Sequence, residues 1–281
     1  MKLPSKAELT ATAPSFIWLV VFVFIPFAVI LLIAFRPALP AGGIGEGWSL
    51  AAIRALADPI YPALLWRTVW ISTLTTVLCI ILALPVAWHM ARVAPRWRPL
   101  ILLLVIIPFW TNFVIRVFAW QQILHAEGFL AKLLRTLHIL GENERLLGNP
   151  AAVVIVSTYT YLPFAILPLY AAAEKFDFSL LDAARDLGAR PLRAFRSVFL
   201  PSISKGITTA TLIVFIPMLG SYVVPDMIGG ADSQMLGNKI AQRNFNDRNL
   251  PQAAALSCAL TLLVLAPALL RRKEKSASEK P

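Results

Sequence analysis

The sequence predicts an all-α integral membrane protein, and three observations carry that expectation. Hydrophobic residues make up 58% of the 281 positions and charged residues only 15%, where a soluble domain would have about a quarter charged. The apolar residues are gathered into six runs, each close to the roughly 20 helical residues that cross a hydrocarbon core of about 30 Å. Short polar connections between these runs hold nearly all the charge. The formal net charge of +11 therefore reads as a topology signal. It forms no basic face interleaved with aromatic residues, so nucleic acid is not an expected partner.

Taken in order, residues 1–15 form a short polar tail with Lys2 and Lys6, and Phe16 to Phe35 is an uncharged first span. A cleaved signal peptide is the competing reading, but its apolar region would run to only about 7–15 residues. A connection rich in Gly and Pro leads to a second span over 69–90. A tight loop with Arg92, Arg96 and Arg98 precedes a third over 100–120. That third span contains Arg116, a costly residue in a bilayer, which should snorkel outward or be paired within the bundle. An amphipathic piece from Phe129 to Leu140 is expected along the interface. The fourth span covers 151–173, the fifth 206–224 and the sixth 253–270, with a basic tail over 271–281. Pro26, Pro85, Pro108, Pro163 and Pro217 fall inside spans, where they are expected to kink the helices. Cys79 and Cys258 lie in apolar spans without a nearby His or carboxylate and read as packing residues.

Alternation of the polar segments sets the orientation. With both termini on one side, that side holds 16 Lys and Arg and the other 10. The positive-inside bias thus places both termini, and the long polar segment over 174–205, in the cytoplasm.

That segment is the most informative stretch of the chain. Leu180, Leu181, Ala184 and Leu187 recur at helical spacing, Gly188 suits a left-handed C-terminal position, and Pro191 suits the start of a second helix. The second helix would place Leu192, Phe195, Val198 and Phe199 opposite Arg190, Arg193 and Arg196. An ordinary amphipathic loop helix resting on headgroups is the bland alternative. The pattern Asp182-Ala183-Ala184, three residues, Gly188, nine residues, Val198-x-Leu200-Pro201 resembles the EAA loop of the membrane subunits of bacterial ABC importers, EAA-x3-G-x9-I-x-LP, with Asp for Glu and Val for Ile. The resemblance implies a coupling helix that docks on a cytoplasmic ATPase, with Asp182, Ala183, Ala184, Arg185, Asp186, Leu187 and Gly188 at the contact.

PFWTNFVIRVFAW from Pro108 to Trp120 and FIPMLGSYVVPDMIGGADSQMLGNKI from Phe215 to Ile240 look like the first of the two permease subunits of spermidine and putrescine importers. This resemblance implies the type I ABC importer permease fold in a bacterial inner membrane. Its expected partners are a second homologous permease, two ATPase subunits and a periplasmic polyamine-binding protein. A permease for another small cation remains open. An ion-driven carrier would be expected to carry midplane acids, which these spans lack.

No GxxxxGK[ST], HExxH or GxSxG run occurs, so no catalysis and no bound cofactor is expected in this chain, and ATP with Mg would be used by the partner ATPase. A polyamine needs carboxylates and aromatic faces. Asp226, with Tyr222 one turn away, reads either as a substrate contact or as the ion-pair partner of Arg116. Trp110, Trp120, Tyr159 and Tyr161 line the pathway in one reading and serve as packing or interfacial anchors in the other. Gly229, Gly230, Ala231 and Asp232 read as a tight turn in the outer connection.

Overall fold

The computed structural model describes residues 6–141 and 144–278, with side chains described for 12–141 and 144–265. The first residues of the expected N-terminal tail, and the basic side chains expected after position 270, lie outside the described residues. Helices form nearly all of the regular structure, and the one extended pairing among the described residues is an isolated bridge between Ala38 and Ile44.

Helix α1 (Lys6–Leu19) runs through a π-helical turn, Val20–Phe24, into α2 (Ile25–Ala34). Pro26 accounts for the wide turn, because its missing N–H leaves a carbonyl one turn earlier without its usual partner and the ladder shifts register. Helix α3 (Ile60–Arg92) starts earlier than the expected span, since hydropathy marks apolar content and not helix ends. The Asp58 carboxylate accepts from the Ile60 amide (3.0 Å) and opens the helix.

The expected third span is not one straight helix. Helix α4 (Arg98–Ile106) ends in a 3-10 turn, Ile107–Trp110, and α5 (Phe113–Leu124) leaves in a new direction. The segments on the two sides of the break are bent by 86°. Pro108 cannot donate to the ladder, and Asn112 starts the new helix by accepting from the Val114 amide (2.8 Å). Helix α6 (Phe129–Thr136) covers the expected amphipathic piece and ends before Leu137.

Helix α7 (Pro150–Glu174) is capped by Asn149, which accepts from Ala152 (2.9 Å). The polar segment then gives α8 (Ser179–Asp186) and α9 (Pro191–Ala194), and α9 continues through a π-helical turn, Phe195–Phe199, toward Pro201. Helix α10 (Ser204–Leu219) is shorter than the expected fifth span. The chain turns at Gly220 and re-enters helix as α11 (Val223–Ile228), followed by α12 (Leu236–Ala241) and α13 (Leu250–Ser278).

Among the described residues three helices are long and apolar enough to cross a membrane, Thr12–Ala34, α3 and α7, and the two bent pairs raise that to five. Leu250–Leu265 is a shorter apolar helix.

The chain divides into two compact units. In the first, residues 1–63 with 239–281, α2 and the short helix Ala51–Arg54 pack on α13 through Ala34, Ala52, Ala254, Ala255 and Cys258. The Tyr61 hydroxyl accepts from Gln252 (2.6 Å). In the second, residues 64–238, one core cluster runs along the Glu174 half of α7 and another along its Pro150 half. Buried Cys79, Ala83 and Ala87 on α3 join the first of these clusters. Small residues of this kind are how helices approach closely where lipid supplies no hydrophobic drive.

Helices α7 and α10 pack closely. Gly206 makes their contact, since a Cβ there would collide with the Ala172 side chain and press on the Pro168 carbonyl, both backed by helix backbone. Gly206→Ala is therefore expected to destabilise this unit by about 1–3 kcal/mol, the usual cost of overpacking. Thermal unfolding of the detergent-solubilised protein measures it, and an unchanged midpoint would show that the two helices can separate freely.

Candidate functional site

The polar segment is built as a tip on a rigid base. Asp177 opens α8 by accepting from the Ser179 amide (3.0 Å), and the hydrogen bonds from Ser179 hold its carboxyl below the ordinary range. The helix ends where Gly188 adopts φ +85°, with its amide bonded to the Arg185 carbonyl (2.9 Å) and the Ala189 amide to the Ala184 carbonyl (3.0 Å). Nothing lies within 4 Å of where a Gly188 Cβ would stand, so the demand for glycine here is conformational and not steric.

One face of α8 is sunk. Leu181 is buried, and Phe178 just before it meets an aromatic cluster around Trp88 of α3. Trp88 stands edge-on to Phe178, Phe195 and Phe199 at 5.4, 5.2 and 4.5 Å between ring centroids. Phe176 adds edge contacts to Phe178 and Phe199. The Arg92 guanidinium covers Trp88 at 5.3 Å and Phe178 at 5.7 Å. Arg98 closes the base, pairing with Glu174 (2.9 Å) and donating to the carbonyls of Ala91 and Val93, while the Tyr170 hydroxyl donates to the same Glu174 oxygen (2.8 Å). Edge-to-face ring pairs each contribute about 0.5–1.5 kcal/mol beyond area burial, so several of them make a stiff mount.

The other face of α8 is open. Asp182, Ala183, Arg185, Asp186, Leu187 and Gly188 are all exposed, and Ala184 is partly buried. Leu187 is 89% exposed and Leu192 61%, leaving an apolar tip beside the left-handed glycine. Asp182 and Arg185 approach one another only at 3.9 Å. A cavity of about 430 Å³ lies between this helix and its mount, lined by Pro85, Trp88, Arg92, Phe178, Asp182 and Arg185 among others.

The residues expected along a pathway are only partly brought together. Tyr159 is stacked with Phe109 (6.1 Å) and lies edge-on to Trp120 (5.3 Å). Tyr161 neighbours Phe164 (6.4 Å), and Trp110 stands apart, 77% exposed. The expected pairing of Arg116 with Asp226 is not present. The break at Pro108 places Arg116 in the opening turns of α5, and its guanidinium lies over the Phe109 ring at 4.6 Å. Asp226 sits exposed on the short α11, without an ion pair among the described residues. Tyr222 precedes α11, and its carbonyl accepts from the Asp226 amide and from the Asn238 side chain, both at 2.9 Å. The turn at Gly229 and Gly230 is extended backbone running into a short 3-10 turn, Ala231–Ser233, with the Ser233 amide bonded to the Gly230 carbonyl (2.9 Å).

Sequence reasoning did not single out Trp88, Phe176, Phe178 and Phe199 as one mount, nor the Arg98–Glu174–Tyr170 junction, nor Phe109. The available signal was the aromatic enrichment at both ends of the polar segment.

Comparison with known proteins gives the family of the chain. The chain belongs to the family of binding-protein-dependent transport system inner membrane components, whose model matches residues 60–278. It is 36% identical over 260 residues to the spermidine/putrescine transport system permease protein PotB of Haemophilus influenzae, covering 92% of this chain and 91% of that protein. It is 36% identical over 247 residues to PotB of Escherichia coli, covering 88% and 90%. The inner membrane ABC transporter permease protein YdcU of Escherichia coli is 32% identical over 229 residues, covering 77% and 72%. The same fold occurs in a bacterial ABC transporter that imports the acidic polysaccharide alginate, with a TM-score of 0.71, 15% identity, and 97% and 96% of the two chains covered.

Gly188→Val is expected to cost roughly 1–3 kcal/mol of local strain and to fray α8, whereas Gly188→Asn should be tolerated. Amide hydrogen exchange over residues 179–189 distinguishes them, and equal protection in both variants would refute the conformational role.

Proposed function

We propose that this chain is the permease subunit of an ATP-driven importer of spermidine, putrescine or both, forming half of the translocation pathway. Relatives named as spermidine/putrescine permeases, similar over nearly the whole chain, support the substrate. The observation that carries the mechanism is the exposed α8 tip on its aromatic mount. A helix held on one side by Trp88, Phe178 and Leu181 and open on the other behaves as a lever, so a push on Leu187 and Gly188 is delivered to α3 and α7 without dissipating in a loose loop.

In this reading Asp182, Ala183, Ala184, Arg185, Asp186, Leu187 and Gly188 meet a cytoplasmic ATPase. ATP and Mg are used there, and this chain transmits the motion of hydrolysis. The complete transporter comprises a second homologous permease, two ATPase subunits and a periplasmic polyamine-binding protein. Both termini and the α8 tip face the cytoplasm, as the positive-inside bias favours. Asp226 and Tyr222 stand at the outer mouth, and Tyr159, Tyr161 and Trp110 lie along the path.

Copurification of the ATPase with this permease and its partner permease tests the lever. Asp182→Lys and Gly188→Trp are each expected to release the ATPase or to lower polyamine-stimulated hydrolysis at least tenfold. Unchanged binding and hydrolysis in both variants would remove α8 as the docking element. Uptake of radiolabelled putrescine and spermidine into proteoliposomes checks the substrate separately, and no uptake of either by an assembled complex would overturn it.

A further inference from the structure

Arg116 is held in an unusual way. Its Nε and Nη1 are buried and donate to no acceptor among the described residues. It sits in the opening turns of α5, where the helix dipole disfavours a cation. No carboxylate pairs with it among the described residues. The ring faces alone hold the charge, Phe109 at 4.6 Å and Phe113 at 6.0 Å from the guanidinium carbon. Phe109 is in turn stacked with Tyr159, and Tyr159 lies against Trp120, so the rings form one half-buried aromatic wall drawn from the 3-10 turn, α5 and α7.

A guanidinium that keeps its ring contacts but leaves two of its three nitrogens buried without an acceptor is easily replaced by another cation. We propose that the wall formed by Phe109, Phe113 and Tyr159 is a binding site for an alkylammonium group, and that Arg116 is a tethered occupant that fills it until substrate arrives. Resting on the polyamine reading above, this makes each ammonium of the substrate an exchange partner for Arg116. The aromatic faces favour the incoming cation, while the displaced guanidinium swings to solvent and regains its hydrogen bonds. In the absence of substrate, Arg116 keeps the wall closed to small inorganic cations by occupying it.

The test is equilibrium binding of radiolabelled putrescine to the complete permease–ATPase complex in nanodiscs, without the binding protein. Arg116→Gln removes the competitor and is expected to tighten binding at least threefold, while Arg116→Lys stays near wild type. Phe109→Leu in the Arg116→Gln background is expected to weaken binding roughly tenfold, between the sizes of an exposed and a desolvated cation–π contact, as suits half-buried rings. Unchanged binding in Arg116→Gln, with the complex intact and active in uptake, overturns the proposal. Loss of the second permease from Arg116→Gln but not from Arg116→Lys also overturns it, because Arg116 would then be holding a carboxylate across that interface. Failure of the polyamine reading shows itself differently. If the wild-type complex imports neither polyamine but Arg116→Gln gains Phe109-dependent binding of tetramethylammonium, the cation site stands and the substrate assignment falls.

Discussion

A hydrocarbon solvent offers no hydrogen bonds, so the backbone within a span must satisfy its own amides and carbonyls, and wherever it cannot, the protein has to supply a partner. This constraint bears on the departures from straight helix inside the apolar runs. Pro26 follows a π-helical turn, the proline removing a donor that the wider turn accommodates. Pro108 goes further and ends its helix in a 3-10 turn, with Asn112 capping the continuation. The irregular backbone thus sits where a side chain or a neighbouring helix can serve it.

Breaking a helix also redirects what it carries. Had α4 and α5 been one rod, Arg116 and Phe109 would have stood nearly two turns apart, about 10 Å along the axis. The bend brings its guanidinium over the Phe109 face and brings Phe109 beside Tyr159 of α7. One proline therefore determines both the path of the backbone and the environment of the most conspicuous charge in the apolar runs.

At the other end of α7 the chain solves a mechanical problem. A connection of some thirty residues between two spans would ordinarily be soft (helices this short are marginal in isolation). Here α8 and α9 are welded to α3 and α7 by Trp88, Phe176, Phe178 and Phe199, with Arg98 and Glu174 tying the adjacent connection to the same base. Packing fixes the buried side and leaves Asp182, Leu187 and Gly188 exposed on the other. The connection thus has one rigid face and one open face.

Local chemistry accounts for what could be read from the sequence. The apolar runs, Gly188 in a left-handed turn, Pro191 at a helix start and the helix from Ser179 all follow from interactions within a few residues. Span ends were less legible, as at Ile60 and Leu219, because hydropathy reports burial in lipid and not where capping begins or ends a helix. The candidate site divides the same way. The open face of α8 was visible as a pattern of residue types, whereas its mount joins Trp88 to Phe178, Phe195 and Phe199, far along the chain, and no local rule predicts that meeting. The pairing expected between Arg116 and Asp226 rested on similar depth alone. Depth follows from position in the sequence, but direction does not, and the bend at Pro108, together with the separate short helix carrying Asp226, decided that Arg116 faces a ring and not a carboxylate.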